Sequence, residues 1–279
     1  MFGDVFENII ETCNANTKTN AGDYIGEDGL LYCGKCNTKK QVEFTIFGKV
    51  RRPMCLCKCE QERIAKEEEE RKKHEFEEKV KRYRRMGFPE SDMYKWTFGN
   101  DDNSNAKLTG IMQRYVDNFK ELRKQGKGLL LHGNVGTGKT YAACEVANAL
   151  IDKGYPVLVT NFARITNTIQ GMYEGKQDYI DSLNEFQLLV IDDLGAERES
   201  AYMQEMVYNI IDSRYRAGLP MIITTNISIE QIKKTDNMER MRIYDRILER
   251  CFPVEVKGVS RRRKKVIDSY ESMKDILGL

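Results

Sequence analysis

Hydrophobic and polar positions change rhythm twice along the chain. From residue 105 onward, short apolar runs at 128–132, 156–160, 187–192 and 220–225 alternate with stretches of helical spacing. The runs predict strands covered on both faces, and helices are expected from 105 to about Lys124 and at 139–153, 163–173, 178–185 and 199–217. After residue 139, Ala143, Val146, Ala147 and Leu150 recur at i, i+3, i+4 and i+7, a buried stripe that stops at Gly154-Tyr155-Pro156. This is the pattern of an α/β domain built on a parallel sheet. Upstream, from about Cys59 to Met86, nearly every position is charged. Glu67 with Arg71, Glu68 with Lys72 and Glu69 with Lys73 stand four apart in the favourable orientation, so a solvated helix is expected there, ended by Gly87-Phe88-Pro89. An aromatic-rich stretch, Met93 to Phe98, and a polar loop, Gly99 to Asn103, follow. Earlier still, Gln41 to Phe47 alternates and turns at Gly48, as a hairpin does. The organisation expected is a small module at 1–60, a charged helical linker at 61–88 and the α/β domain at 89–279.

The junction between the first strand and the first long helix of that domain reads Gly133-Asn134-Val135-Gly136-Thr137-Gly138-Lys139-Thr140, a complete G-x-x-x-x-G-K-[ST] loop. Its glycines let backbone N–H groups close around phosphates, Lys139 reaches the β and γ oxygens, and the Thr140 hydroxyl is a ligand for Mg²⁺. The helix start beneath it adds a positive dipole end, and Tyr141 follows as a further nucleotide-contacting position. A chance glycine-rich turn would lack this strand-before, helix-after context.

Leu188-Leu189-Val190-Ile191-Asp192-Asp193 ends an apolar strand in two carboxylates, the Walker B arrangement. Asp192 is placed to hold Mg²⁺ and Asp193 to polarise the attacking water, the alternative being an Asp pair that caps the next helix. Pro220 to Asn226 is a further apolar strand ending in an amide, with Asn226 expected level with Asp192, where it orients water or senses the γ-phosphate; a turn-initiating Asn is the plainer reading. Arg246 and Arg262 come after that strand as candidate cations for the phosphates, in the same subunit or the next.

Composition fits a water-soluble, two-domain protein: 279 residues, 41% hydrophobic, formal net charge +2, with no apolar run long enough to span a bilayer and no basic-then-apolar leader. The small net charge does not itself announce a nucleic-acid partner, and the basic block Arg261 to Lys265 reads first as solvated. Eight cysteines beside a nucleotide site point to a reducing, cytoplasmic setting. Five of them crowd together as Cys33-x-x-Cys36 and Cys55-x-Cys57-x-Cys59. Four complete a structural Zn²⁺ tetrahedron, and in an extended C-x-C either Cys55 with Cys57 or Cys57 with Cys59 supplies the second pair. Cys144 and Cys251 read as buried free thiols, His132 as packed and His74 as surface.

The phosphate loop, Asp192 to Glu197, Thr224-Thr225-Asn226, Tyr244-Asp245-Arg246 and Ser260-Arg261-Arg262 together resemble bacterial replicative helicase loaders of the DnaC/DnaI class, over roughly residues 90–265. That resemblance implies a three-layer α/β/α AAA+ ATPase with sheet order 5-1-4-3-2, ATP and Mg²⁺ as cofactors, Asn226 as sensor 1, Arg246 as arginine finger, and Arg262 or Arg261 as sensor 2. It also implies a replicative DnaB-type helicase and single-stranded DNA as partners and self-association into a ring or spiral, with the cysteine module gripping the helicase. IstB-type transposition helper ATPases share these core motifs, and a non-hydrolysing helicase-binding adaptor or inhibitor is the non-enzymatic alternative.

Overall fold

The computed structural model describes residues 19–46, 48–196 and 200–260, with residues 8, 12, 270, 273, 274, 276 and 277. The chain divides into two compact units, 1–77 and 78–279. No described helix is long and apolar enough to cross a membrane.

The first unit holds two short antiparallel hairpins. β1 (Tyr24–Ile25) pairs with β2 (Leu31–Tyr32), and β3 (Phe44–Ile46) pairs with β4 (Lys49–Arg51). Gly48 turns the second hairpin with φ 72°, a conformation natural to glycine. Buried apolar side chains among the unit's described residues are Leu30, Cys33 and Cys57, too little mass for a self-sufficient core. Helix α1 (Lys58–Gly87) starts directly after Cys57 and runs across the division between the units. Its exposed ion pairs are partly re-dealt from the sequence expectation. Lys72 bonds Glu68 at 2.8 Å as expected, but Glu67 is taken by Arg63 and Arg71 turns to Glu75 at 3.0 Å. A helix this polar offers each cation partners on both sides, and neither choice is worth more than about 0.5 kcal/mol.

In the second unit, five parallel strands lie in the order β6-β7-β8-β5-β9: β5 (Gly128–His132), β6 (Val157–Asn161), β7 (Leu188–Leu194), β8 (Met221–Thr225) and β9 (Cys251–Glu255). Counted within this unit, that is 5-1-4-3-2, the order the resemblance implies. Successive strand residues feed opposite layers. Leu129, Leu131, Val190 and Ile222 pack in one core with α2 (Ala106–Asp117) and α4 (Lys139–Asp152). Leu130, Leu189, Ile191 and Ile223 pack in the other with α5 (Phe162–Gln170), α7 (Ala201–Arg216) and α9 (Met238–Arg250). Helices therefore cover both faces, which is why these strands read as unbroken apolar runs.

The helix expected from 105 to 124 is interrupted at Asn118, which separates α2 from α3 (Phe119–Lys124). Two further short helices are α6 (Lys176–Ser182) and α8 (Ile229–Lys233); α8, α9 and β9 follow the last element the hydrophobic pattern had delimited. The chain enters this unit along the end of α1, where Gly87 sits so close to β6 that an added Cβ would lie 2.3 Å from the Val157 carbonyl oxygen. No side chain fits there.

Candidate nucleotide site and thiol cluster

The phosphate loop bridges β5 and α4 with Gly133, Gly136 and Gly138 at φ 142°, 81° and 98°, left-handed values that only glycine adopts without strain. Lys139 is 5% exposed and its Nζ donates to the carbonyls of Gly133 and Asn134 and to Asn226 Oδ1, each at 2.8 Å. The lysine and the amide at the end of β8 thus meet at one point. Thr140 Oγ1 donates to Asp192 Oδ1 at 2.9 Å, so the hydroxyl and the carboxylate expected to share a metal are already neighbours.

A register shift between Ile191 and Leu194 bends the end of β7, and Asp193 takes a positive φ of 56°. The consequence corrects one expectation. Thr224, not Asn226, stands level with Asp192: its hydroxyl donates to Asp192 Oδ1 at 2.6 Å and accepts from the Asp193 N–H at 2.9 Å. Asn226 lies beyond the strand end, at Lys139. Burial holds the Asp192 carboxyl above its usual range, against the opposing hydrogen bonds from Thr224 and Thr140.

A cavity of about 910 Å³ opens over the loop and is lined by Val135 to Tyr141, Asp193 and Asn226. It is large enough for a nucleoside triphosphate. Sequence reasoning missed its far wall. Trp96 stacks on Tyr141 with ring centroids 5.7 Å apart and an interplanar angle of 28°, and Asn105, which lines the cavity with Trp96, donates to the Lys257 carbonyl at 3.2 Å. Asn148, 1% exposed, fixes that wall by donating to the carbonyls of Met93 and Trp96, both at 2.9 Å. The single tryptophan within an aromatic cluster was the available signal. Ser260 lies against Gly136, where an added Cβ would meet its Oγ at 2.3 Å; Arg261 and Arg262, like Glu197, fall outside the described residues.

Arg246 is not among the residues lining this cavity. It sits between α7 and α9, where Nε donates to Asp212 at 2.8 Å, Nη2 to the Tyr208 hydroxyl at 2.9 Å and Nη1 to the Arg242 carbonyl at 3.2 Å. Its guanidinium also lies 4.8 Å from the Tyr208 ring centroid. His132 is half-buried and burial lowers its pKa, with Glu255 and Glu230 opposing. Cys144 and Cys251 are buried free thiols, the latter pushed up to about 12 by burial.

In the first unit, the sulfurs of Cys33, Cys36, Cys57 and Cys59 all lie within 4.8 Å of one another. Cys59 Sγ is 3.6 Å from Cys33 Sγ and 3.4 Å from Cys57 Sγ, close to the roughly 3.8 Å edge of a tetrahedron of sulfurs about 2.3 Å from zinc. Cys55 is outside this group; its thiol contacts the Lys39 carbonyl at 3.5 Å. The selection follows from α1 beginning at Lys58. Cys59 occupies a first helical turn rather than an extended strand, and the helix start carries it back to Cys57. The Thr38 hydroxyl, 3.1 Å from Cys36 Sγ, and the Cys59 backbone amide lower Cys36 to about 5, whereas hydrogen bonds to Cys57, Cys33 and Cys36 push Cys59 up to about 12. Four adjacent thiols cannot all ionise unaided, and a divalent cation is what lets them do so. The donor set fits Zn²⁺.

Behind the cluster, Lys40 and Asp23 form a buried ion pair at 2.7 Å. Burial opposes the lysine's charge, yet Asp23 and the thiols of Cys57 and Cys33 hold its pKa above the ordinary value.

Among curated proteins, the replicative helicase loader DnaI of Bacillus subtilis (strain 168) is 26% identical over 189 residues, 62% of this chain and 60% of that protein. The replicative helicase loader DnaC of Escherichia coli (strain K12) is 29% identical over 121 residues, 41% of this chain and 49% of that protein. The match thus spans only about half to three fifths of these relatives. A solved structure of DnaI is similar with a TM-score of 0.52 and 28% identity, covering 62% of this chain and 94% of that one. From residue 63 to residue 269, over most of the charged helix and the whole phosphate-loop sheet, the sequence matches the family of IstB-like ATP-binding proteins, to which this chain belongs.

Proposed function

We propose that this protein is an ATP-hydrolysing loader that delivers a replicative DnaB-type helicase onto single-stranded DNA, with residues 1–60 as a zinc-containing helicase-binding module, 61–88 as linker and 89–279 as the AAA+ ATPase. The observation that carries this reading is the junction of Lys139, Asn226, Thr140, Asp192 and Thr224. It links the phosphate-binding lysine to a sensor amide and the metal-binding hydroxyl to a half-buried carboxylate. A passive nucleotide-binding adaptor needs none of these links.

In this site Gly133 to Thr140 wrap the phosphates with backbone N–H groups, and Lys139 exchanges its contacts with Gly133, Asn134 and Asn226 for phosphate oxygens. Thr140 and Asp192 would hold Mg²⁺, which when bound neutralises charge on the phosphates. Asp193, turned outward at the bend of β7, accepts the proton of the attacking water, and Asn226 orients that water and reports loss of the γ-phosphate through Lys139. Arg246 acts on the phosphates of a neighbouring copy in a ring or spiral, and Arg262 or Arg261 on those of its own. The reducing cytoplasm suits the free thiols.

The kinship with helicase loaders supports this reading over an IstB-type transposition helper, since a loader requires a separate grip on its helicase and the four-thiol module offers one. Co-purification of the full chain with the host replicative helicase, followed by ATP turnover with and without single-stranded DNA, tests it. A loader captures the helicase and is stimulated by DNA. Helicase capture without turnover identifies an adaptor, and neither result leaves the transposition helper.

A further inference from the structure

The strap of chain that follows α1 runs antiparallel along α4 and is tied to it at three levels. Arg84, near the end of α1, bonds Asp152 in the last turn of α4. Midway, Asn148 Nδ2 donates to the carbonyls of Met93 and Trp96, both at 2.9 Å, and to Cys144 in its own helix at 3.1 Å. At the first turn, the Trp96 indole stacks on Tyr141, two residues beyond Lys139. One helix therefore carries the phosphate loop at its start and the aromatic wall of the cavity on its flank.

Asn148 is 1% exposed, and its Oδ1 has no hydrogen-bond partner among the described residues. The strap carbonyls dictate that orientation, because they need the donors of the amide and turn its acceptor the other way. A buried amide left half satisfied opposes folding, whereas an apolar side chain of similar size carries no such cost. What Asn148 contributes is therefore its donors, and they hold the strap. The side chain they place is Trp96, half-buried, backed by Tyr141 and lining the cavity over the loop. A flat aromatic surface suits a flat heterocycle, and the part of a nucleoside triphosphate with that chemistry is its base.

We propose that Trp96, backed by Tyr141, is the stacking platform for the nucleobase, and that Asn148 is the positioning residue that sets this platform against the phosphate loop. Stacking tolerates any base, so the platform distinguishes a nucleotide from bare phosphates and not one base from another. The proposal rests on the nucleotide reading of the cavity.

The test uses the full-length protein as wild type, Trp96→Ala, Trp96→Phe and Asn148→Leu, with Mg·ATP and magnesium tripolyphosphate as calorimetric probes. Trp96→Ala should lose about 5- to 140-fold in ATP affinity, the range for removing an aromatic that stacks on a base, with tripolyphosphate affinity unchanged. Trp96→Phe keeps a ring and should recover most of that loss. Asn148→Leu should lose about fivefold or more for ATP and nothing for tripolyphosphate. The chain has one tryptophan, so its emission reports the platform directly. ATP should quench it in wild type and tripolyphosphate should not, and saturating ATP should quench it less in Asn148→Leu. A parallel fall for both ligands in Asn148→Leu reduces Asn148 to a brace of α4 and overturns the positioning role. Unchanged ATP affinity in Trp96→Ala or Asn148→Leu, or a Trp96→Phe as weak as Trp96→Ala, overturns the proposal too. Wild type that binds neither ligand overturns the nucleotide site itself, and the platform with it. Should Asn148→Leu not fold, Asn148→Ala removes the same donors, and ATP affinity unchanged from wild type in that variant overturns the role.

Discussion

Asp193 has a φ of 56°, a conformation that Asp and Asn tolerate and most side chains resist. Asp193→Asn should therefore preserve the bend of β7 and the binding of Mg·ATP while lowering turnover by about 10²-fold or more, because an amide cannot take the proton of water. Equilibrium binding beside steady-state hydrolysis checks this, and lost binding would make Asp193 a metal ligand instead. Asp192 carries a pH signature. Burial raises its folded pKa above the unfolded value, so its contribution to folding stability is present at low pH and is lost as pH rises through the raised value. Metal binding needs the ionised form and runs the other way. Affinity for Mg·nucleotide should fall as pH drops toward the ordinary carboxylate range near 4, and in Asp192→Asn it should be weak and change less with pH than in the wild type. A pH-independent wild type would remove Asp192 from the metal site. At this scale the sequence exposed Lys139, Thr140, Asp192 and Asn226 because each closes an apolar strand or a glycine loop. It hid Thr224, whose hydroxyl at a strand end is indistinguishable from ordinary β-propensity until the bend of β7 brings Asp192 to it.

Elements decide which cysteines meet. An extended C-x-C leaves Cys55–Cys57 and Cys57–Cys59 equivalent, and the start of α1 at Lys58 breaks the tie in favour of Cys59. Serine at Cys33, Cys36, Cys57 or Cys59 should each cost the protein its zinc and the fold of its first unit, since Leu30 and the buried thiols alone cannot replace the metal. Cys55→Ser should retain one zinc per chain. Elemental analysis of the five variants reads this directly, and zinc loss from Cys55→Ser would restore Cys55 to the ligand set. The strands of the sheet interior were legible because burial on both faces removes polar positions. β9 was not, for a physical reason: it is an edge strand, carries Pro253 where a ladder N–H is dispensable, and exposes Phe252 at 71%, so neither alternation nor a continuous apolar run marks it. The partner choices along α1 were likewise beyond reading, because pairs on a solvated helix differ by less than their own small energies.

The arrangement of Arg246 bears on the assembled molecule. Its guanidinium is engaged by Asp212, Tyr208 and the Arg242 carbonyl on the packed faces of α7 and α9, and its side chain remains 25% exposed. Within one copy it is a brace; the role proposed for it in trans would need a second copy to bring it a phosphate. Asp212 keeps a partner when Arg246 is removed, since Arg216 bonds its other oxygen at 2.8 Å, so Arg246→Ala should cost stability on the order of 1 kcal/mol. Nucleotide affinity of the isolated chain should then be unchanged, while DNA-stimulated turnover is lost. Lys139→Ala should fail differently, losing nucleotide affinity by about 30- to 1,000-fold through the missing charge-assisted bonds to phosphate. Neither variant should be active alone, but if copies associate as proposed a mixture would juxtapose the intact loop of Arg246→Ala with the intact arginine of Lys139→Ala. Recovery of part of the wild-type turnover in the mixture, rising with total protein concentration, is the expected outcome of an arginine acting between copies. An inert mixture, or Arg246→Ala with full activity, would leave Arg246 as the intramolecular brace its contacts with Asp212 and Tyr208 describe, and would remove the ring or spiral from the loading mechanism.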